Sequence, residues 1–139
     1  MSKHPYCISL PKIAVNSAHL SYLDVLGDLP IDVKRFYWIY DVEGESERGN
    51  HAHLNSERLI ICMSGVVNAH IESPVGKKFE FMLNDPCQVL FFPRGHWINL
   101  VAKEKSVILV ACSCTYSDDL VITDYLEFKK TCLREQLLR

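Results

Sequence analysis

Residues 66–83 read VVNAHIESPVGKKFEFML, and this stretch decides the fold class. Apolar and polar side chains alternate over residues 66–72, and the same alternation returns over residues 79–83. A period of two residues is that of a β-strand with one buried face. The proline and the glycine within residues 73–77 mark a turn. The stretch therefore predicts two strands joined as a hairpin.

The neighbouring segments repeat this pattern on both sides of the hairpin. Short apolar or alternating runs, each bounded by turn residues, predict further strands over residues 33–42, 58–63, 88–92, 96–102 and 106–114. The tail differs, because apolar residues recur there at helical spacing after Asp124, a residue type that caps helices. Many short strands followed by one short C-terminal helix predict an all-β sandwich or barrel.

Length and composition limit the classes of protein to consider. The chain has 139 residues, of which 48% are hydrophobic, and a formal net charge of −2. That length fits one domain, which we expect to span residues 1–139. The chain has no basic stripe that would indicate nucleic-acid binding, and no apolar run that would indicate a signal peptide or a membrane span. We therefore expect a cytoplasmic protein with reduced cysteines, of which Cys112 and Cys114 end a buried strand.

Polar residues are densest over residues 43–57, EGESERGNHAHLNSE. In an extended strand, residues two apart face the same side and lie about 7 Å apart along the chain. His51 and His53 therefore converge on one pocket if this piece is a strand, with Arg48 beside them. Two histidines on one face suit proton transfer near neutral pH. With Glu57 close behind, the same spacing is also a metal-binding arrangement.

The second polar segment, residues 93–99 (PRGHWIN), resembles the second half of the cupin signature, in which a Pro-x-Gly turn enters a strand. In metal-binding cupins a histidine usually follows that glycine by three residues, and here Ile98 occupies the place. An apolar residue cannot replace a ligand, so we expect no four-ligand metal site and no cofactor. The histidines are then free to act as acid and base.

Residues 32–128 resemble the sugar-nucleotide 3,4-ketoisomerases of the WxcM-like cupin family. The R-G-x-H-A-H motif at residues 48–53 is the most specific part of the resemblance. The other matching segments are residues 34–41 (KRFYWIYD), residues 61–65 (ICMSG), Trp97, residues 116–119 (YSDD) and residues 124–128 (DYLEF). Two places depart from the family pattern. Residues 15–20 lack the Arg-Gly that members often carry, and Ile98 stands where a histidine often follows the tryptophan.

The resemblance implies a cupin-type jelly-roll β-barrel, a homodimer with exchanged N-terminal strands, and catalysis without metal or cofactor. It implies that a dTDP-4-keto-6-deoxyhexose is the substrate and that its 3-keto isomer is the product. The product would serve the biosynthesis of an unusual deoxysugar, such as a 3-amino sugar of a bacterial polysaccharide or O-antigen. His51 and His53 would transfer the protons through an enediolate.

Six residues are predicted to bind the substrate. Arg48 and Arg35 present planar forks of donors that suit a diphosphate. Tyr37 shares a strand face with Arg35 and could hydrogen-bond the sugar. The remaining members are Trp97, which could stack on the base or fill the core, and His96 and Asn99.

Two other functions are still open at this point. A metal-dependent cupin enzyme would use His51, His53 and Glu57 as ligands. A non-catalytic module would bind the sugar nucleotide and leave it unchanged. For the ketoisomerase itself, the sequence leaves open which of the two histidines removes the carbon-bound proton.

Overall fold

The structure, a computed structural model, describes residues 4–24 and 29–137. Within these residues the chain forms twelve β-strands, one 3-10 turn (Tyr116–Asp118) and one α-helix, α1 (Tyr125–Leu137). The strands in chain order are β1 (Tyr6–Ser9), β2 (Ile13–Val15), β3 (Ala18–Leu20), β4 (Arg35–Ile39), β5 (Ser46–His53), β6 (Arg58–Ser64), β7 (Val67–Glu72), β8 (Lys78–Leu83), β9 (Gln88–Phe92), β10 (Trp97–Ala102), β11 (Val107–Cys112) and β12 (Val121–Ile122).

Ten of these strands form two antiparallel sheets of five strands each. The first sheet has the order β1-β9-β6-β11-β4 and the second has the order β12-β5-β10-β7-β8. Strands β2 and β3 pair only with each other, as a separate hairpin. Side chains from both five-stranded sheets meet in one apolar core. The predicted all-β jelly-roll architecture with a C-terminal helix is confirmed.

The alternation that predicted the first hairpin decides which face of it is buried. Val67 and Ala69 have no exposed surface and Ile71 is 2% exposed, all three within the core between the sheets. On the paired strand β8, Phe79 and Phe81 pack against the same core. Burying one such side chain contributes about 1.5–3 kcal/mol. Because a register slip of one residue would turn all five to solvent, the pattern fixes the pairing.

Two of the predicted strands are several residues shorter in the structure. The strand predicted over residues 106–114 is limited to β11, Val107–Cys112, so Cys114 lies beyond its end. The strand predicted over residues 33–42 is also too long. The structure limits it to β4, Arg35–Ile39. Asp41 has a φ of 56°, which lies in the left-handed region and ends the extended run. Val42 then turns into the core, where it is 2% exposed.

Helix α1 packs on the outer face of the second sheet, behind β5. Phe128 is 1% exposed and belongs to a buried cluster with Ala52, the residue between the two histidines. As predicted, Asp124 caps the helix, because its Oδ1 accepts a hydrogen bond from the backbone N–H of Leu126 at 2.8 Å. Among the described residues, no helix is both long and apolar enough to cross a membrane.

We predict that Phe128→Ala lowers the free energy of unfolding by about 3–5 kcal/mol, because it leaves a cavity between α1 and β5. Urea denaturation followed by circular dichroism measures the change. Leu126→Ala on the same helix is the matched control, since Leu126 is 70% exposed, and it should change stability by no more than about 0.5 kcal/mol. Equal losses in the two variants would contradict the packing described here.

Candidate active site

The two histidines predicted to act together lie side by side on β5. Their ring centroids are 4.5 Å apart and the ring planes meet at 83°, an edge-to-face contact. In the sheet register, His51 lies opposite Ile98 of β10, whose side chain belongs to the core between the sheets. Both imidazoles therefore project towards the barrel interior, and Ala52 between them faces α1. The predicted convergence of His51 and His53 on one face is confirmed.

A bulge in β5 brings Arg48 to the same face. Arg48 lies three positions before His51, a spacing that places side chains on opposite faces of a regular strand. The register between β5 and β10 shifts, however, so that Asn99 pairs with Gly49 and Leu100 with Arg48, leaving Asn50 as the extra residue. Leu100 is a core residue. Arg48 therefore shares the inward side with the histidines, and as a residue it is exposed.

Gly49 is needed for this bulge. Its φ is +101°, a conformation that residues with a side chain rarely adopt. A Cβ at this position would lie 2.7 Å from the carbonyl oxygen of Ile98 on the neighbouring strand. The glycine of the R-G-x-H-A-H motif thus sets the direction of the arginine before it.

His53 is anchored by a carboxylate and a guanidinium that the sequence did not single out. Its Nδ1 lies 2.9 Å from Asp119 Oδ1 and 2.7 Å from Arg58 Nη2. Arg58 Nη2 also donates to Asp119 Oδ2, at 2.6 Å. The backbone of Asp119 is at the surface, but its side chain is only 9% exposed and that of Arg58 only 2%. The three groups form one charged, hydrogen-bonded unit.

A second guanidinium and a thiol extend this unit. Arg35 Nη2 lies 3.2 Å from Asp119 Oδ2, and Arg58 Nη1 donates to Cys112 Sγ at 2.6 Å. The ring of Tyr37 lies within 5.8 Å of both guanidinium carbons. The structure thus brings the predicted residues Arg35 and Tyr37 to His53. Burial raises the pKa of the Tyr37 hydroxyl, against the opposing charge of Arg58.

The local electrostatics keep both histidines neutral. Burial and then the positive charge of Arg58 lower the pKa of His53 to about 4, although the hydrogen bond with Asp119 opposes the shift. Burial also lowers the pKa of His51, while a hydrogen bond to the Gly49 backbone opposes that shift. At Asp119, burial opposes ionisation, but the bond from His53 and the charge of Arg58 hold its pKa below the ordinary value. Near neutral pH the site holds neutral imidazoles and an ionised carboxylate.

The segment that carries Asp119 is held in place from two sides. Strand β12 pairs with β5 at His53 and Ala52. The side chain of Asn55 donates to the Asp118 carbonyl at 2.6 Å and accepts from the Leu120 N–H at 3.0 Å. These bonds fix the backbone on either side of Asp119, so the carboxylate reaches His53 in one orientation.

Trp97 and Asn99, two of the predicted substrate-binding residues, do not join the histidines. In β10 the side chains of Ile98 and Leu100 face the core, so Trp97 and Asn99 face outwards. Trp97 packs against Phe128 of α1, with ring centroids 5.5 Å apart. Asn99 lines an outer cleft of about 470 Å³ with Trp97. Their predicted role in substrate binding stays a prediction, and this position gives it no support.

His96 lies in the turn before β10, next to the strand of the histidine pair. Gly95 N–H donates to the His53 carbonyl at 2.7 Å. His96 is 4% exposed, its Nδ1 contacts the Arg94 carbonyl at 3.1 Å, and its Nε2 has no hydrogen-bond partner among the residues that the structure describes. Burial lowers its pKa, against the bond to the Arg94 backbone. Its predicted contact with substrate stays a prediction.

Glu57, the third ligand in the metal-dependent alternative, is engaged elsewhere. Its Oε1 accepts from Arg94 at 2.9 Å and its Oε2 accepts from the Ser113 hydroxyl at 2.7 Å. Within residues 4–24 and 29–137, no group of three or more His, Cys, Asp or Glu side chains is arranged to hold a metal ion. The carboxylate near the histidines is instead that of Asp119.

Sequence reasoning missed Arg58 and Asp119, although each carried a signal. Arg58 opens the apolar run 58–63 at an inward position, where a charged residue needs a partner. Asp119 lies in the YSDD segment that carries part of the family resemblance. Neither signal says which partner each residue meets, because Asp119 is 66 residues from His53 along the chain.

The fold and the site together define a class: a jelly-roll barrel of the cupin type, with an interior site of two neutral imidazoles beside an arginine pair and a carboxylate. A model of the FdtA family (WxcM-like, C-terminal) matches residues 3–132. The chain therefore belongs to the WxcM-like, C-terminal family.

Several relatives of this chain are 3,4-ketoisomerases. It is 26% identical over 125 residues to TDP-4-oxo-6-deoxy-alpha-D-glucose-3,4-oxoisomerase of Aneurinibacillus thermoaerophilus, covering 88% of each chain. A 3,4-ketoisomerase of Helicobacter canadensis is 27% identical with a TM-score of 0.84, covering 93% of this chain and 97% of that one. QdtA of Thermoanaerobacterium thermosaccharolyticum, as a histidine-to-asparagine variant in complex with TDP-4-keto-6-deoxyglucose, is 27% identical with a TM-score of 0.85, covering 96% and 97%.

We predict that Arg58→Met raises the pKa of His53 above its value of about 4. The guanidinium disfavours a second positive charge on the adjacent ring, so its removal makes protonation easier. A titration of the histidine ring signals by NMR measures the midpoint. In the wild-type protein His53 should stay neutral until the pH falls towards about 4.

Two variants test whether the shift comes from charge at this position. Arg58→Lys keeps a cation there and should keep the pKa of His53 low. Arg94→Met removes a guanidinium whose side chain is 54% exposed and paired with Glu57, and it should leave the titration of His53 unchanged. An unchanged midpoint in Arg58→Met would contradict the assignment.

Proposed function

We propose that this chain is a sugar-nucleotide 3,4-ketoisomerase that converts a TDP-4-keto-6-deoxyhexose to its 3-keto isomer. The observation that carries the proposal is the pair of neutral imidazoles in edge contact at the interior of a barrel whose relatives catalyse this reaction. The predicted cytoplasmic location and the place in deoxysugar biosynthesis belong to the same proposal.

The chemistry needs two proton transfers, one from C3 to C4 and one from the C3 oxygen to the C4 oxygen. The C3 proton is acidic because of the neighbouring C4 ketone, so one imidazole removes it and leaves an enediolate. The second imidazole passes the hydroxyl proton from the C3 oxygen to the C4 oxygen. The first then returns its proton to C4, which leaves the ketone at C3 and both imidazoles neutral. A base of this kind contributes about 10²–10⁴-fold.

The cations around the histidines support an anionic substrate and an anionic intermediate. Arg35 and Arg58 place two positive charges against the single negative charge of Asp119. This surplus favours an enediolate, whose negative charge develops during the reaction. Arg48 is exposed on the same side of β5 and is the candidate to bind the diphosphate. Tyr37, whose ring lies beside the guanidinium groups of Arg35 and Arg58, is the candidate to contact the sugar.

The proposal includes a homodimer with exchanged N-terminal strands. Phe36 and Trp38 lie on the outward face of edge strand β4, Tyr40 directly follows the strand, and the three are 56%, 61% and 60% exposed. Such an aromatic row on a surface favours an interface. Strand β1 is the other edge of the same sheet and, within the described part of the chain, pairs with β9 alone. A second copy could supply this strand without disturbing any other pairing.

We predict that His51→Asn and His53→Asn each lower kcat by about 10²–10⁴-fold on TDP-4-keto-6-deoxyglucose. Each variant loses a group that transfers protons and keeps a side chain of similar size. Proton NMR of the sugar follows the appearance of the 3-keto isomer, and incubation in deuterated water follows exchange at the reacting carbons. Thermal melting checks that the variants remain folded.

His70→Asn is the matched control, because His70 is an exposed histidine on β7 and should keep full activity. Tight binding of an unchanged sugar by the wild-type protein would favour the non-catalytic module instead. Activity that depends on a metal bound in stoichiometric amount would favour the metal-dependent enzyme.

We predict that Trp38→Glu converts the dimer to monomers, because it places a charge within the aromatic row on β4. Analytical ultracentrifugation gives the molecular mass. Met82→Glu is the control, since Met82 is 57% exposed on the other sheet and should leave the mass unchanged. A wild-type protein that sediments as a monomer would refute the dimer and leave the catalytic proposal standing.

A further inference from the structure

The Nδ1 atom of His53 lies between two groups that make opposite demands on its proton. Asp119 Oδ1, at 2.9 Å, is an acceptor and requires a hydrogen on Nδ1. Arg58 Nη2, at 2.7 Å, is a donor and requires a lone pair there. One ring nitrogen of a neutral imidazole cannot meet both demands. The other contacts of Asp119 and Arg58 decide between them.

Both terminal nitrogens of Arg58 keep an acceptor without His53, and its Nε has no hydrogen-bond partner among the described residues in either case. Nη2 donates to Asp119 Oδ2 at 2.6 Å and Nη1 donates to Cys112 Sγ at 2.6 Å. Asp119 Oδ1 has no such alternative, because His53 is its single hydrogen-bond donor in the part of the chain that the structure describes. An ionised oxygen left without a donor inside the protein costs more free energy than a guanidinium hydrogen shared between acceptors. The hydrogen therefore belongs on Nδ1.

We propose that Asp119 is a positioning residue that fixes His53 as the Nδ1–H tautomer, so that Nε2 is the nitrogen that accepts a proton from the substrate. The Nε2 atom of His53 has no hydrogen-bond partner within residues 4–24 and 29–137, so its lone pair is available to accept a proton. The proton leaves a bond to the substrate, resides on Nε2, and returns to the substrate from the same atom. His53 thus ends each cycle as the same neutral tautomer. Only the role of Nε2 rests on the proposed function, since the tautomer is a property of the free protein.

The two oxygens of Asp119 have different partners. The substitution Asp119→Asn, which replaces one of these oxygens by an amide nitrogen, therefore tests the proposal. Oδ2 accepts from two guanidinium groups, Arg58 at 2.6 Å and Arg35 at 3.2 Å, whereas Oδ1 faces His53. In Asp119→Asn the amide oxygen takes the Oδ2 position, because only an acceptor suits the two arginines. The amide nitrogen then faces His53 and donates to it. Nδ1 must offer a lone pair, and the tautomer reverses to Nε2–H.

The experiment is long-range nitrogen–hydrogen correlation NMR of the histidine rings at neutral pH, with the His53 signals assigned by their loss in His53→Asn. We expect a protonated Nδ1 and an unprotonated Nε2 in the wild-type protein. In Asp119→Asn we expect the reverse. A wild-type spectrum with the hydrogen on Nε2, or an Asp119→Asn spectrum identical to wild type, would overturn the proposal.

Kinetics supply the second readout. In serine proteases, an asparagine in place of the aspartate that holds the histidine keeps the geometry and lowers kcat about 10⁴-fold through the wrong tautomer. We expect Asp119→Asn to lower kcat by about 10²–10⁴-fold with little change in KM. Asp119→Glu, which keeps the carboxylate, should recover part of the rate and the wild-type tautomer. Asp118→Asn is the control on the adjacent exposed carboxylate, and it should change neither readout.

The two proposals fail in different ways. In one outcome, the NMR spectra show the expected tautomers while His53→Asn still isomerises the sugar at the wild-type rate. That result would support the tautomer assignment and refute the role of Nε2 in catalysis. If the wild-type protein is an active ketoisomerase but Asp119→Asn leaves its tautomer and kcat unchanged, the function stands and the role of Asp119 falls. If Asp119→Asn does not fold, the wild-type spectrum and Asp119→Glu still decide the tautomer.

Discussion

The carboxylate of Asp119 joins three parts of the barrel that are far apart in the sequence. One oxygen contacts His53 on β5, and the other accepts from Arg58 on β6 and Arg35 on β4. Without this anion, the buried guanidinium of Arg58 and the half-buried guanidinium of Arg35 would face each other beside an imidazole, an arrangement that is costly in the interior of a protein. The rest of the site depends on this compensation, because it allows the two cations to remain beside His53, whose neutral state comes from burial and from the charge of Arg58.

The outer layer of the protein supports this interior unit. Ala52 separates the two histidines in the sequence, and its small side chain lets Phe128 of α1 pack closely behind β5. Strand β12 pairs with the same end of β5 and leads directly from Asp119 to the helix. Trp97 belongs to this outer layer rather than to the barrel interior. The described part of the C-terminal helix therefore supports the site from behind β5, through Ala52 and β12.

Local pattern predicted most of the fold, because burial acts on each strand in the same way. The alternation on β7 and β8 gave both the strands and their buried faces. It failed at residues 33–42, where a left-handed residue, Asp41, ends the strand. The site was predicted in part for the same reason: His51 and His53 are two residues apart, so strand geometry alone places them together. Arg48 shares their face because of a bulge at Asn50. A bulge breaks the two-residue alternation, so the alternation alone could not predict the direction of Arg48.

The sequence by itself determined the all-β class, the buried faces of the strands and the shared face of the histidine pair, since these follow from spacing within one strand. Only the tertiary structure decided the partners of that pair. Arg58 and Asp119 reach His53 because β6 and the segment before β12 converge there, and Trp97 and Asn99 are turned away because β10 alternates. The difference lies in separation along the sequence. Periodicity describes residues that are close neighbours in the chain. The compensation of buried charge depends on distant residues that meet only when the two sheets pack together.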